Sequence, residues 1–205
     1  MFHKCLPVGP IAANCYIIGC DQTKEAAVID PGEDAKVILS QLNKEGLKLK
    51  YIINTHGHID HIGANDEVKD TTGAQIIIHE LDAEMLTNPR KNLSNFVGAL
   101  NSFKAADKTV KDGDVIQVGN LELEVIHTPG HTIGGICLRH GNLVWTGDTL
   151  FQGSIGRSDF PGGNHDTLIN SIKKKLTVLP DDTQVFPGHG PSSNIGEEKR
   201  SNPFL

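Results

Sequence analysis

The sequence predicts a layered α/β protein built on mixed β-sheets. Short apolar, β-branched runs recur along all 205 residues. Amphipathic stretches with a helical period separate many of them. Several runs are instead joined by turns of two or three residues, too short for a helical crossover, so antiparallel hairpins stand beside helix-linked strands.

Taken in order, CYIIG (15–19) and AAVID (26–30) read as strands joined by a turn at Asp21–Gln22. Asp34 to Glu45 reads as a helix with Ala35, Ile38, Leu39 and Leu42 on one face, stopped by Gly46. YIIN (51–54) is a buried strand, and a helix is expected from near Asp60 to about Thr72. QIIIH (75–79) is a further strand, with a short helix at 80–86. Residues 88–107 are the least regular part, a candidate lid or inserted loop. DVIQV (114–118) and LELEVIH (121–127) make a hairpin around Gly119–Asn120, and GICLRH (135–140) and NLVWTG (142–147) a second around Gly141. A helix over 165–178 buries Leu168, Ile169, Ile172 and Leu176; TQVFPG (183–188) is the last strand, with a short helix at 195–201.

Length and charge narrow the classes. At roughly 100–200 residues per domain, residues 1–205 read as one domain, large enough to bury a core without disulfides. Nineteen Lys and Arg against 25 Asp and Glu give −6, which weighs against a nucleic-acid partner held by diffuse positive charge. No run approaches the ~20 apolar residues of a membrane span. Pro7, Gly9, Pro10 and Asn14 interrupt the opening segment, which lacks the apolar core of a signal peptide, so a cytoplasmic setting is expected. Cys5, Cys15, Cys20 and Cys137 then read as reduced thiols; none forms a CxxC pair.

The chemistry lies in the histidines. There are ten, gathered in short glycine-flanked clusters. His56-Gly57-His58-Ile59-Asp60-His61 follows a buried strand, and four such side chains in one turn cannot all face a core. Imidazole and carboxylate both bind divalent metals, and Gly57 lets the backbone fold so that they converge. Thr128-Pro129-Gly130-His131-Thr132, Thr146-Gly147-Asp148-Thr149 and Phe186-Pro187-Gly188-His189-Gly190 repeat the theme: a glycine turn after a strand presents one His or Asp. Together they predict one polynuclear metal site.

HGHIDH, TPGHT, TGDTLF and PGHG, in this order and spacing, resemble the metallo-β-lactamase-fold hydrolases. LFQGSIGRSDFPGG (150–163) and NIGEEKRSNPF (194–204) are similar to the short, single-domain members of the glyoxalase II (hydroxyacylglutathione hydrolase) branch. The resemblance spans nearly the whole chain and implies a four-layer αββα sandwich with two mixed sheets and the metals at their shared edge. It implies that His56, His58 and His131 bind a first metal, that Asp60, His61 and His189 bind a second, and that Asp148 bridges them. Two divalent ions are implied, zinc first, with iron or manganese as alternatives. The implied chemistry is hydrolysis of a small-molecule thioester or ester by a metal-bridging hydroxide, with Asp60 and Asp148 in the catalytic centre. No G-x-S-x-G elbow occurs, in keeping with a reaction that needs no serine nucleophile.

The longer enzymes of the branch carry a C-terminal helical domain that contacts glutathione. Only residues 190–205 follow His189, so that domain is not expected here. Arg157, Lys199 and Arg200 are candidates for an anionic substrate tail. His3, His79, His140 and His165 are expected to be structural or solvent-facing, with His165 the outside candidate for the cleft, and His127 to be a strand-end residue or a support behind a metal ligand. Asp30 reads as a carboxylate that orients a metal-bound histidine or as a turn cap, and Phe151 and Phe160 as core or cleft wall. A persulfide dioxygenase with a single iron, a lactonase, a phosphodiesterase or a metal-binding scaffold could be built on the same fold.

Overall fold

The computed structural model describes residues 1–98 and 100–205. Of the irregular segment 88–107, Ala99 therefore lies outside the described residues. The first sheet is formed by β1 (Phe2–Val8), β2 (Ala13–Gly19), β3 (Glu25–Ile29), β4 (Lys48–Ile53), β5 (Gln75–His79) and β6 (Lys108–Val110), in that spatial order. β1, β2 and β3 pair antiparallel, and β3, β4, β5 and β6 pair parallel. The second sheet contains β7 (Val115–Val118), β8 (Leu121–His127), β9 (Ile136–His140), β10 (Leu143–Gly147), β13 (Gln184–Pro187) and β14 (Ser193–Asn194), with spatial order β14-β13-β10-β9-β8-β7. Its pairs are antiparallel except β10 with β13. Both sheets are mixed. A two-stranded ribbon, β11 (Leu150–Phe151) with β12 (Ser154–Ile155), leaves the end of β10.

Helices cover both outer faces. α1 (Ala35–Glu45), α2 (Ile59–Ile62), α3 (Asn65–Thr72) and α4 (Ala83–Thr87) belong to the first sheet's half, and α5 (His165–Ser171) and α6 (Ile195–Ser201) to the second's. The layering follows from strand periodicity. Ile53 and Ile77 face the second sheet, where they meet Leu123, Val125, Leu138 and Trp145. Their neighbours Ile52, Ile76 and Ile78 point the other way, onto Ile62, Val68 and Leu86 of the helices. A strand buried on both faces needs an unbroken apolar run, which is what YII and QIII supply.

Several elements depart from the sequence reading for identifiable reasons. The helix expected over 60–72 is two helices. The chain bends at Gly63–Ala64, where the Ala64 amide donates to the Pro31 carbonyl and a Cβ on Gly63 would lie 2.3 Å from the carbonyl oxygen of Gly32. β1, β6 and β14 are edge strands, short or only partly buried, and carry weak alternation. The helix expected over 165–178 begins as α5, capped by Asn164 accepting from the Thr167 amide, and widens into a π turn over Ile172–Leu176. That wider turn keeps Leu168, Ile172 and Leu176 all fully buried.

β3 and β4 run in one direction; β8, β10 and β13 likewise share one direction in their own sheet. The loops after these five strands carry Asp30, the 56–61 segment, His131, Asp148 and His189, so the candidate residues share one rim of the sandwich. No helix among the described residues is long and apolar enough to cross a membrane.

Ile77, fully buried between the sheets, sets a test of this core. Ile77→Ala is expected to cost about 2–5 kcal/mol. Urea unfolding should show a lower midpoint with an unchanged slope; a loss under about 1 kcal/mol would mean that the layer is not closed around this side chain.

Candidate metal centre

Each donor is delivered by a loop whose geometry is locally enforced. The 54–58 loop leaves β4 and turns into α2, placing His56, His58, Asp60 and His61 within one short path. Gly147, the last residue of β10, has φ 48° and its Cα faces Thr55; a Cβ there would lie 2.3 Å from the Thr55 hydroxyl oxygen. Gly188 packs against the donors themselves: a Cβ would lie 2.3 Å from Oδ1 of Asp148 and 2.8 Å from Cε1 of His61. Glycine at both positions lets the strand ends close around the site.

The donors form two sets. His56, His58 and His131 have ring nitrogens within 4.8 Å of one another, as do the ligand atoms of Asp60, His61 and His189. In the first set Nδ1 of His58 and Nε2 of His56 lie 3.0 and 3.3 Å from Nε2 of His131. In the second, Oδ2 of Asp60 lies 3.1 Å from Nε2 of His189 and 3.3 Å from Nε2 of His61. Asp148 stands between them. Its Oδ1 is 3.4 Å from His61 Nε2, and its Oδ2 is 3.6 Å from His131 Nε2 and 3.8 Å from His189 Nε2.

The surroundings fix which atoms face inward. Nδ1–H of His131 donates to the Arg157 carbonyl at 2.6 Å, leaving Nε2 as a lone-pair donor. Nδ1–H of His61 donates to Oδ2 of Asp30 at 3.1 Å, turning its Nε2 toward Asp60 and Asp148. Asp30, with φ 51° and 1% exposed, also accepts from the amide and hydroxyl of Thr55 at 2.7 and 2.6 Å. It therefore fills both roles expected of it, orienting a histidine and holding the turn.

Charge states follow from burial and neighbours. Burial, then the adjacent histidines, pushes His56 well below the ordinary imidazole range and His58 down to about 3, so both rings are neutral lone-pair donors. Burial works against the charged form of His61 and His189 too. Carboxylates outweigh it there: Asp148, Asp60 and Asp30 hold His61 well above the usual value, and Asp60 and Asp148 raise His189. Burial opposes ionisation of Asp60, but His61 and His189 override it and keep this carboxyl well below the usual range.

The residues fit a pair of divalent cations. Nε2 of His61 and Oδ1 of Asp148 are buried without a hydrogen-bond partner, although they face each other. Native interiors rarely leave such groups unsatisfied, and each unmet one is costly. Three imidazole nitrogens converging at 3.0–3.3 Å, two of them on rings held neutral, are an arrangement that a cation satisfies. The His/Asp clusters thus suit a dinuclear metal site, and histidine–carboxylate donors accept zinc, iron and manganese alike.

Other residues support the site without a sequence signal strong enough to reveal them. Asp82, fully buried at the start of α4, accepts from the Thr132 hydroxyl and the Gly134 amide, both at 2.7 Å, and faces the Gly57 amide. It ties the loop bearing His131 to the loop bearing His56 and His58. Asn14 of β2 reaches across to the other sheet, donating to the carbonyls of Pro187 and Gly190 at 3.0 and 2.8 Å, and the Tyr16 hydroxyl donates to the Pro187 carbonyl at 2.6 Å. These bonds hold the His189 turn. Asn54 and Asn65, both fully buried, bond each other and fix α2 through the His61 carbonyl.

A cleft of about 950 Å³ opens over the donors. Arg157 lines it, but Lys199 and Arg200 do not. Both fall in the last turn of α6, whose inward residues are Ile195 and Glu198; Lys199 pairs with Asp181 at 2.7 Å and Arg200 shares that acidic neighbour. The expectation that they receive a substrate tail is corrected by the register of this helix. Phe151 and Phe160 line the cleft, and segment 88–107 contributes Leu93, Phe96 and Asn101 to its wall. His165 is exposed at the first turn of α5 and lies outside the cleft. His127 stacks on His79 with centroids 4.2 Å apart, and His140 bonds the Glu122 carbonyl, so none of these three joins the donors.

Residues 8–189 match the model of the metallo-beta-lactamase superfamily, and the chain belongs to that family. It is 38% identical to the hydroxyacylglutathione hydrolase GloC of Haemophilus influenzae over 204 residues, 98% of this chain and 96% of that protein. Among solved structures it is similar to the BLEG-1 B3 metallo-beta-lactamase, with a TM-score of 0.94 and 38% identity over 100% of this chain and 99% of that one. TTHA1623, solved in a di-iron-bound form, gives 0.88 and 32% identity over 98% and 100%. The fold is the metallo-beta-lactamase fold, and the His/Asp site on it is that of a metallo-hydrolase.

Asp82→Ala leaves the seven donors in place and removes the tie between their loops. Loss of such outer support typically costs about 10–100-fold in metal affinity. Competition with a chelator should show a loss of this size for Asp82→Ala; unchanged retention would mean that the loops hold their positions without it.

Proposed function

We propose that this chain is a dinuclear metal-dependent thioesterase, in the class that includes hydrolases of S-2-hydroxyacylglutathione. In this reading His56, His58 and His131 hold one ion, Asp60, His61 and His189 hold the other, and Asp148 is shared. The observation that carries it is the position of Asp148 between the two sets: Oδ1 faces His61 and is otherwise unpartnered, and Oδ2 lies near both His131 and His189. Similarity to GloC supports thioesters as the substrate class, and similarity to TTHA1623 supports iron beside zinc as the resident metal.

Two such cations supply Lewis acidity and a hydroxide-level nucleophile near neutral pH. The chain's own residues do the rest. Neutral His56 and His58 present lone pairs without competing protons. Asp60 is held ionised, and Asp30 and the Arg157 carbonyl engage Nδ1 of His61 and His131, so that Nε2 of each ring faces the site. Among the described residues lining the cleft there is one hydroxyl, Ser154, and no cysteine, so the chain presents no paired nucleophile of its own. Phe160 packs edge-on to His58 and Phe151 edge-on to His189, placing an aromatic ring beside each donor set. Water adds across the acyl carbon–sulfur bond to give a carboxylic acid and a thiol. The four cysteines are free thiols, which supports the cytoplasmic setting.

The purified, metal-analysed protein is expected to hydrolyse S-D-lactoylglutathione or a simple acyl thioester. Activity should vanish on chelation and return when metal is restored. A protein holding two ions per chain that cleaves no thioester would overturn the proposal.

A further inference from the structure

The cleft over the donors is far larger than a lactoyl group needs and sits at the upper end of small-molecule sites. Its walls are apolar. Pro10 and Ile11 stand in the β1–β2 loop, Leu93 and Phe96 in the segment after α4, and Phe151 and Phe160 beside the donors. Phe96 lies against Phe160 with centroids 6.2 Å apart, so the wall continues outward from His58 without a break. Ile11 is 61% exposed and Phe96 68% exposed. Single exposed apolar residues are ordinary, but these two belong to one concave surface that ends at the metal donors.

Charge weighs in the same direction. Apart from the donor set, the charged residues among those described as lining the cleft are Arg157 and Glu33. Arg157 has a partner on the exposed rim: Nε and Nη2 donate to the two carboxylate oxygens of Asp159, each at 2.8 Å, and its guanidinium stacks 3.8 Å over the Phe160 ring. Glu33 adds negative charge. A glutathione tail brings two carboxylates and an ammonium, for which the described lining offers only Arg157, itself paired with Asp159, and Glu33. A hydrocarbon chain finds continuous contact.

We infer that the cleft selects thioesters whose acyl group is an extended, uncharged hydrocarbon over glutathione-linked hydroxyacyl groups. This rests on the hydrolase reading above. The reaction is redox-neutral: the oxygen of water bonds to the acyl carbon, the C–S bond breaks with its electron pair on sulfur, and one proton ends on the thiol.

The test compares acetyl, butanoyl and hexanoyl thioesters of N-acetylcysteamine with S-D-lactoylglutathione. A fully buried methylene is worth about fourfold, so kcat/KM should rise at least ~10-fold from acetyl to hexanoyl and exceed that for lactoylglutathione. Ile11→Ser and Phe96→Ser should each cut the hexanoyl-to-acetyl ratio at least ~3-fold, the loss of part of one buried chain. A flat profile, or preference for lactoylglutathione, would overturn the inference and leave the hydrolase reading standing. If no thioester is cleaved, binding separates the two ideas. Hexanoate binding at least ~10-fold tighter than acetate, with a negative heat-capacity change, supports the apolar selectivity while removing the thioesterase reading. Equal affinities overturn the selectivity as well.

Discussion

Everything in this molecule is arranged around a concentration of unshared electron pairs. Seven candidate donors from four loops converge on one rim. Nε2 of His61 and Oδ1 of Asp148 are buried and unmatched, and the imidazoles of His56 and His58 are held neutral by burial. Without positive charge such a cluster would repel itself in a medium of low dielectric. With two divalent cations the same arrangement becomes a source of binding energy, part of which is folding energy. The donor set is thus a constraint on the fold as much as a product of it.

The sandwich meets that constraint by strand direction. Donor-bearing strands run the same way within each sheet, so their ends, and not their faces, present the polar groups. The faces stay apolar and hold the layers together. At the rim, polar contacts cross between loops and sheets. Asp30 joins the β3 and β4 ends, Asp82 joins the 56–58 and 131–134 loops, and Asn14 with Tyr16 joins the first sheet to the His189 turn. Each uses its full hydrogen-bonding capacity or nearly so, which is how buried polar groups hold a loop without loosening the core.

Much of this was legible in the residues. The seven donors announce themselves because four short motifs put His and Asp immediately after strands, where packing cannot account for them. The central strands are legible because both their faces are buried, and α1 because its apolar stripe ends at Gly46, which takes φ 65°. Hidden features depend on contacts distant in sequence. The bend at Gly63 comes from the backbone of Gly32, thirty-one residues earlier. Asp82 looks locally like an ordinary aspartate before a helix, and its partners lie fifty residues away. Lys199 and Arg200 read as cleft cations only while the register of α6 is unknown, and Phe160 stays open between core and cleft wall until the loop after Arg157 brings it to His58.

In the reading proposed above, one chain holds two metal ions joined by Asp148. Anomalous diffraction from crystals of the metal-loaded protein tests it most directly. Two peaks per chain are expected. One should have the nitrogens of His56, His58 and His131 at about 2.0–2.2 Å, and the other the donor atoms of Asp60, His61 and His189, with a carboxylate oxygen of Asp148 bound to each. A single peak on the first set with Asp148 bound to that ion alone, or a metal seated on Asp30, would contradict it.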